Sequence, residues 1–134
     1  MTDREAQFAD LAARAAEARK WSYSPYSGYA VGAAILAASG KIYDGANVEN
    51  AAYPASSCAE ATAINTAVAQ GLRSIDTVAV ACIDAVDTEG AYPCGRCRQI
   101  MSEFDVKRVV VTAAEGSDVR EHTLDELLPH RFGL

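Results

Sequence analysis

Three cysteines in this sequence are spaced so that their thiols could bind one metal ion. Cys94 and Cys97 lie three residues apart at the predicted start of one helix, and Cys58 lies at the predicted start of another. Two cysteines at this spacing also suit a redox pair, but the third cysteine and the lack of an upstream thioredoxin-like βαβ pattern favour a metal. Because three protein ligands leave a position open for water, the pattern predicts a catalytic zinc site.

Glu60 follows Cys58 by two residues and lies near the same predicted helix end. A carboxylate there can accept a proton from zinc-activated water and return it to a substrate. A glutamate in the first turn of a helix is ordinarily a partner of the helix dipole, so Cys-Ala-Glu alone is weak evidence. Together with Pro93-Cys-Gly-Arg-Cys97 it becomes specific, because zinc deaminases combine a related glutamate motif with Pro-Cys-x-x-Cys. These residues predict a zinc-dependent hydrolase with Glu60 as its proton carrier.

The remaining cysteine and both histidines are poorer candidates for a fourth ligand. Cys82 lies inside an apolar run, where a free cysteine usually packs in the core. His122 and His130 lie near the C-terminus, outside any ligand spacing, and we expect a solvated or loop role for each. We therefore expect an open site with three ligands.

Length, composition and charge restrict the class of protein. The chain has 134 residues, of which 50% are hydrophobic and 22% charged, and this predicts one globular domain spanning residues 1–134. A net charge of −6 disfavours a nucleic acid polymer and favours a small neutral or cationic substrate. We find no secretory signal and no apolar run near the roughly 20 residues of a membrane span. We therefore expect a cytoplasmic protein with reduced cysteines and no membrane partner.

Periodicity and turn residues predict the elements that must position the site. Residues 4–20 form an amphipathic pattern, and helices are also predicted from the two cysteine motifs to about residues 69 and 104. Ser56 or Ser57 is the expected cap of the first of these. Strands are predicted at 29–37, 41–47, 77–83 and 106–112, the first two as a hairpin, with a loop at 84–92 and a short helix at 124–128. This order predicts an α/β fold with helices on both faces of one sheet.

Several blocks of the sequence, taken in order, resemble the cytidine deaminase family in its small form with three cysteine ligands. They are Pro25-Tyr-Ser-Gly-Tyr-Ala-Val-Gly-Ala33, Gly45-Ala-Asn-Val-Glu-Asn-Ala51, Cys58-Ala-Glu60, Pro93-Cys-Gly-Arg-Cys-Arg-Gln99 and Leu127-Leu-Pro-His-Arg-Phe-Gly133. The resemblance implies a three-layer α/β/α cytidine deaminase-like fold with a mixed sheet between helices. It also implies Zn²⁺, a homotetramer with shared active sites, and hydrolytic deamination of cytidine or 2′-deoxycytidine in pyrimidine salvage.

The resemblance further implies roles for individual residues. Cys58, Cys94 and Cys97 would bind zinc, and Glu60 would carry protons. Asn47 and Glu49 would bind the ribose 3′-hydroxyl, since an amide and a carboxylate at i and i+2 on one strand face can together donate to and accept from it. The other expected substrate contacts are Tyr29 beside the pyrimidine and sugar, the Ala59 N–H to the pyrimidine carbonyl, and Tyr53 and Phe132 at a neighbouring subunit's site.

The chain departs from the family pattern at two positions. Ala61 stands where the pattern usually has an arginine that hydrogen-bonds the thiolates, and Arg96, Arg98 or the helix ends alone could supply the missing positive charge. Tyr29 stands where the pattern commonly has phenylalanine, and its hydroxyl needs a partner if it is buried.

Three alternatives to cytidine deamination remain open at this point. A modified or isomeric cytosine nucleoside could be the substrate, because the two departures alter the expected pocket. A non-catalytic zinc module would need a fourth protein ligand and no Glu60. A single-stranded polynucleotide deaminase is disfavoured by the acidic balance and the lack of a basic groove.

Overall fold

The computed structural model describes residues 2–85, 88–113 and 118–134. The helices are α1 (Asp3–Ala18), α2 (Ala59–Ala69), α3 (Gly95–Glu103) and α4 (Leu124–Leu127). The strands are β1 (Gly32–Ala37), β2 (Ile42–Ala46), β3 (Ile75–Cys82), β4 (Arg108–Ala113) and β5 (Asp118–Thr123). Within these described ranges, no helix is long and apolar enough to span a membrane.

The strands form one mixed sheet in the order β2-β1-β3-β4-β5. The central pair, β3 and β4, is parallel, with Val80 opposite Val111. The other three pairs are antiparallel, and β1 and β2 form the predicted hairpin. The parallel pair needs a crossover, and α3 supplies it between β3 and β4.

Side chains alternate between the two faces of the sheet, so each face has its own apolar core. On one face, Leu11 and Ala15 of α1 lie in a cluster with Ala34 of β1 and Val110 of β4. The cluster on the other face combines α2, α3 and α4 with the alternate strand residues, and its members include Ile35, Ile64, Val80, Met101, Val111 and Leu124. The predicted α/β/α layering is therefore confirmed.

Two glycines allow the helices to approach the hairpin at backbone distance. A Cβ atom on Gly32 would lie 1.9 Å from the carbonyl oxygen of Ala15 in α1. A Cβ atom on Gly45 would lie 2.6 Å from the backbone nitrogen of Ala63 in α2. The second contact sets the height of α2 above the sheet, and with it the position of the cysteine at its start.

The structure corrects the sequence-based elements at three places. β5 was not predicted, because the edge strand Asp-Val-Arg-Glu-His-Thr is polar and partly exposed and lacks an apolar alternation. The first strand begins at Gly32 rather than at residue 29. Helix α2 begins at Ala59 with Cys58 as its N-cap, so capping by Ser56 or Ser57 is wrong; Ser57 instead pairs with Val48. The predicted loop at 84–92 includes residues 86–87, which lie outside the described residues.

Candidate active site

Two helix N-termini bring the three cysteines together. Cys58 is the N-cap of α2, Cys94 is the N-cap of α3, and Cys97 lies in the first turn of α3. Their sulfur atoms all lie within 4.8 Å of one another. Tetrahedral Zn–S bonds of 2.3 Å place sulfurs about 3.8 Å apart, so the cluster can close on one zinc ion with little movement. Among the described residues this group has no fourth member, and Cys82 lies outside it.

Hydrogen bonds among the thiols already favour a thiolate in this cluster. The pKa of Cys58 is lowered to about 6, chiefly because Cys97 donates to its sulfur, with help from Cys94 and from the charge of Arg96. The pKa of Cys97 is raised for the reciprocal reason, and burial adds to the rise. A soft, anionic sulfur cluster at two helix N-termini is a donor set that suits Zn²⁺.

Glu60 lies in the first turn of α2 and is only 4% exposed. Burial, above all other causes, raises the pKa of its carboxyl group to about 7, and the nearby Cys58 adds to the rise. Glu60 lines a cavity of about 190 Å³ together with Cys58 and Cys94. A buried carboxyl group that can gain and lose a proton near neutral pH therefore faces the same space as the metal ligands.

Residues from several elements line the same cavity. Three of them were predicted to contact the substrate. Tyr29, Asn47 and Ala59 all line it. The Tyr29 hydroxyl donates to the carbonyl oxygen of Gly90 at 3.0 Å, and burial raises its pKa to about 12. The remaining lining residues are Val31, Val80, Cys82, Gly90, Ala91 and Tyr92.

Asn47 and Glu49 lie just beyond the end of β2, on either side of the paired residue Val48. The Asn47 side chain holds the neighbouring segment: its Nδ2 donates to the Tyr29 carbonyl at 2.9 Å, and its Oδ1 accepts the Val31 N–H at 2.9 Å. Its Oδ1 also accepts from Ser22. The expected amide is therefore at the cavity, where its polar atoms already have protein partners.

Glu49 lines a second cavity of about 340 Å³ with Tyr26, Ser27, Asn50, Tyr53 and Ser56. Its carboxylate accepts from the backbone N–H groups of Tyr26 and Ser27 at 3.0 and 3.1 Å, and from the Ser27 hydroxyl. These bonds lower its pKa. Tyr53 is 74% exposed at this cavity. Phe132, 69% exposed, is not among the described residues that line either cavity.

The structure distinguishes the two arginines that could offset the thiolate charge. Arg98 donates to the carbonyl oxygens of Pro93 at 2.9 Å and Leu127 at 2.6 Å, so its guanidinium joins two backbone segments. Arg96 is exposed, and its charge lowers the pKa of Cys58. Ala61 is fully buried in the core under α2.

One group near the site was missed by sequence reasoning. Tyr92 lines the metal cavity, and its hydroxyl lies 2.7 Å from Nε2 of His122 in β5. His122 is therefore a strand residue with a polar partner, and the expected solvated or loop role is wrong. The only local signal was the position of Tyr92 directly before Pro93-Cys94.

The fold and the site together define a class of protein. A mixed sheet between helices carries a three-thiolate metal site with an open position and a buried carboxyl group, which is the arrangement of a zinc-dependent hydrolase. The family model for the cytidine and deoxycytidylate deaminase zinc-binding region matches residues 5–113, and the chain belongs to this family. It is a zinc-dependent deaminase; the cysteine and glutamate motifs predicted a zinc-dependent hydrolase, and the family resemblance implied deamination.

Individual relatives agree with this assignment. The chain is 46% identical over 125 residues to a cytidine deaminase of Sporosarcina psychrophila, covering 91% of this chain and 88% of that one. It is 44% identical over 126 residues to a cytidine deaminase of Halalkalibacterium halodurans, covering 91% of each. The crystal structure of cytidine deaminase from Burkholderia pseudomallei superposes with a TM-score of 0.84 at 38% identity, covering 98% of this chain and 100% of that one.

Proposed function

We propose that this protein deaminates cytidine and 2′-deoxycytidine to uridine and 2′-deoxyuridine with release of ammonia, as a step of pyrimidine salvage. The charge of the cavity around Glu49 is the observation that best supports a nucleoside substrate. It contains a carboxylate, and none of the described residues that line it is a lysine or arginine. Cationic side chains are the strongest partners of a phosphate group, so a free nucleoside fits this cavity better than a nucleotide such as deoxycytidylate.

The reaction follows from the groups in the metal cavity. Cys58, Cys94 and Cys97 would hold zinc, which supplies Lewis-acid activation of a water molecule. Glu60 accepts a proton from that water and delivers it to ring N3, which makes C4 electrophilic. After the water oxygen adds to C4, Glu60 takes the remaining proton of the new C4 hydroxyl and passes it to the amine; the C4–N bond breaks, C4 becomes a carbonyl, and ammonia leaves. The Ala59 N–H, which has no partner within the helix because it lies at the first position, donates to the pyrimidine carbonyl.

We assign the ribose 3′-hydroxyl to Asn47 and Glu49, the amide at the metal cavity and the carboxylate at the adjacent one. Carboxylate oxygens have about four acceptor sites, so Glu49 can accept from a sugar hydroxyl and keep its bonds to Ser27. Tyr29 forms the wall beside the base. Its hydroxyl is held by Gly90, which favours an ordinary cytosine nucleoside over a modified one that would need a new polar contact.

We also propose a homotetramer whose subunits complete each other's sites. Tyr26 and Tyr53, 53% and 74% exposed, line the Glu49 cavity, and Trp21 and Tyr23, 75% and 57% exposed, lie in the segment that precedes Tyr26. Exposed aromatic side chains that cluster, such as Tyr26 and Tyr53 with ring centroids 6.5 Å apart, are typical of an interface. Tyr53 and Phe132 would reach the neighbouring subunit. A cytoplasmic location suits a site that requires three reduced thiols.

The test is a substrate panel with zinc-loaded protein: cytidine, 2′-deoxycytidine, deoxycytidylate, 5-methylcytidine and isocytidine, followed by ultraviolet absorbance and ammonia release. We expect the two unmodified nucleosides to be the best substrates. A preference for deoxycytidylate or for a modified base would refute the proposal, and no turnover at all would favour a structural zinc module. Glu60→Gln is the control, because it should keep zinc and lose all but a few per cent of turnover.

A further inference from the structure

Three side chains connect the wall of the metal cavity to the surface. The Tyr92 hydroxyl lies 2.7 Å from Nε2 of His122, and Nδ1 of His122 lies 3.1 Å from Oε2 of Glu126. The rings of Tyr92 and His122 also pack against each other, with centroids 5.3 Å apart. This series of three hydrogen-bonded side chains begins at Tyr92, which lines the cavity, continues through His122 on β5 and ends at Glu126 on α4.

Glu126, at the outer end of this series of side chains, is held in place by a helix cap. Thr123 and Glu126 form a capping box at the start of α4, in which Glu126 Oε1 accepts from the Thr123 N–H and hydroxyl at 3.3 and 3.2 Å. This leaves Oε2 for His122. Because a carboxylate only accepts, Nδ1 of His122 must be the donor, and Nε2 of the neutral ring is then the acceptor for the Tyr92 hydroxyl. In this tautomer, Glu126 sets the direction of both hydrogen bonds.

A second contact ties the same segment to the same support. Arg98 donates to the carbonyl of Pro93, the residue after Tyr92, and to the carbonyl of Leu127 at the end of α4. The two residues before the zinc ligand Cys94 are thus held by β5 and α4 through independent bonds. Both elements lie beyond residues 5–113, the part of the chain that the family model matches.

We propose that His122 is a positioning residue for deamination: held by Glu126, it fixes the Tyr92 ring as a wall of the metal cavity and so sets the affinity for the nucleoside. This inference rests on the proposed function. His122 touches neither the metal ligands nor Glu60 through any of these bonds, so its influence is on binding and not on proton transfer. A purely structural role for the three residues would instead lower stability and leave KM unchanged.

The test compares Tyr92→Phe, which removes only the hydroxyl, with His122→Leu, which removes both hydrogen bonds, in zinc-loaded protein. We expect each to raise the KM for cytidine roughly fivefold while kcat stays within about twofold, because both variants lose the Tyr92–His122 hydrogen bond that holds the ring. The double variant should be no worse than His122→Leu, because the two residues act as one unit. His122→Gln, whose amide can accept from Tyr92, should restore part of the affinity.

The control is Tyr43→Phe, since Tyr43 is a half-buried tyrosine of β2 that is not among the described residues lining either cavity; its KM should not change. Zinc content and thermal melting are measured for every variant. An unchanged KM in folded, zinc-loaded Tyr92→Phe and His122→Leu overturns the inference, and so does a fall confined to kcat. Inactivity of the unmodified protein on every nucleoside would overturn the proposed function itself, and this inference with it.

Discussion

The hydroxyl of Tyr29 donates to the carbonyl oxygen of Gly90 at 3.0 Å, and both residues line the metal cavity. The bond explains how this chain carries tyrosine where the family pattern commonly has phenylalanine. The added hydroxyl finds its partner in the protein, so it need not contact the substrate. Burial raises its pKa to about 12, which keeps the phenol protonated as a donor throughout the neutral range.

Replacing Tyr29 by phenylalanine should therefore cost stability more than specificity. Tyr29→Phe leaves the Gly90 carbonyl without this donor, and we expect the free energy of unfolding to fall by about 1 kcal/mol. The kcat/KM for cytidine should stay within about threefold of the unmodified protein. Urea unfolding and steady-state kinetics measure the two quantities. A fall in kcat/KM of more than about tenfold with unchanged stability would show that the hydroxyl contacts the substrate.

Zinc content should distinguish the clustered cysteines from the fourth one. Cys97→Ser removes an expected ligand whose sulfur lies within 4.8 Å of the other two, and bound zinc should fall from about one ion per chain to a small fraction. Cys82→Ser alters a buried cysteine outside the cluster and should keep its zinc. Elemental analysis after gel filtration provides the measurement. Loss of zinc from Cys82→Ser alone would mean that the ligand set is wrong.

Removal of zinc should also lower thermal stability, because a ligand that binds only the folded state stabilises it. A strong chelator should lower the melting temperature of the unmodified protein and abolish deamination, and added zinc should restore both. Cys97→Ser, already without metal, should show no further shift. A melting temperature that the chelator leaves unchanged would argue against a bound metal.

Asn47 should be important for stability as well as for substrate. Its amide joins Tyr29, Val31 and Ser22, so Asn47→Ala leaves several polar groups unpaired and should cost roughly 2 kcal/mol. The kcat/KM should fall too, since Tyr29 and Val31 line the cavity. Asn65→Ala, at an exposed position of α2, is the control and should change stability little. If both variants melt alike, Asn47 does not hold this segment.

Two buried threonines should respond to valine with opposite signs. Both are fully buried, but Thr77 donates to Asp76 at 2.7 Å, whereas the Thr112 hydroxyl has no hydrogen-bond partner within the described ranges. Thr112→Val should raise the free energy of unfolding by roughly 1 kcal/mol, and Thr77→Val should lower it by a similar amount. Chemical denaturation of the zinc-loaded proteins measures both. Destabilisation by Thr112→Val would reveal a partner for its hydroxyl.

Some features of the fold escaped the sequence because they carry little local signal. The sequence predicted β3 and β4 from their apolar runs and α1 from its amphipathic pattern, since each of these elements buries a continuous face. β5 has no such face: it pairs with β4 by backbone hydrogen bonds and keeps a polar, partly exposed sequence. Its contact with Tyr92, a residue that lines the metal cavity, was not predicted for the same reason.

The sequence by itself determined the metal chemistry and the class of enzyme, because the three clustered cysteines and Glu60 lie at helix starts in two short motifs. Only the tertiary structure decided which polar groups near the site already have hydrogen-bond partners within the protein. Arg98 joins Pro93 to Leu127, the Tyr29 hydroxyl is held by Gly90, and the Tyr92 hydroxyl meets His122, which lies 30 residues away. Contacts between such distant residues depend on sheet register and helix packing, which no local spacing encodes. Local sequence was sufficient to predict the three-cysteine cluster, but it was not sufficient to predict the walls of the cavity beside it.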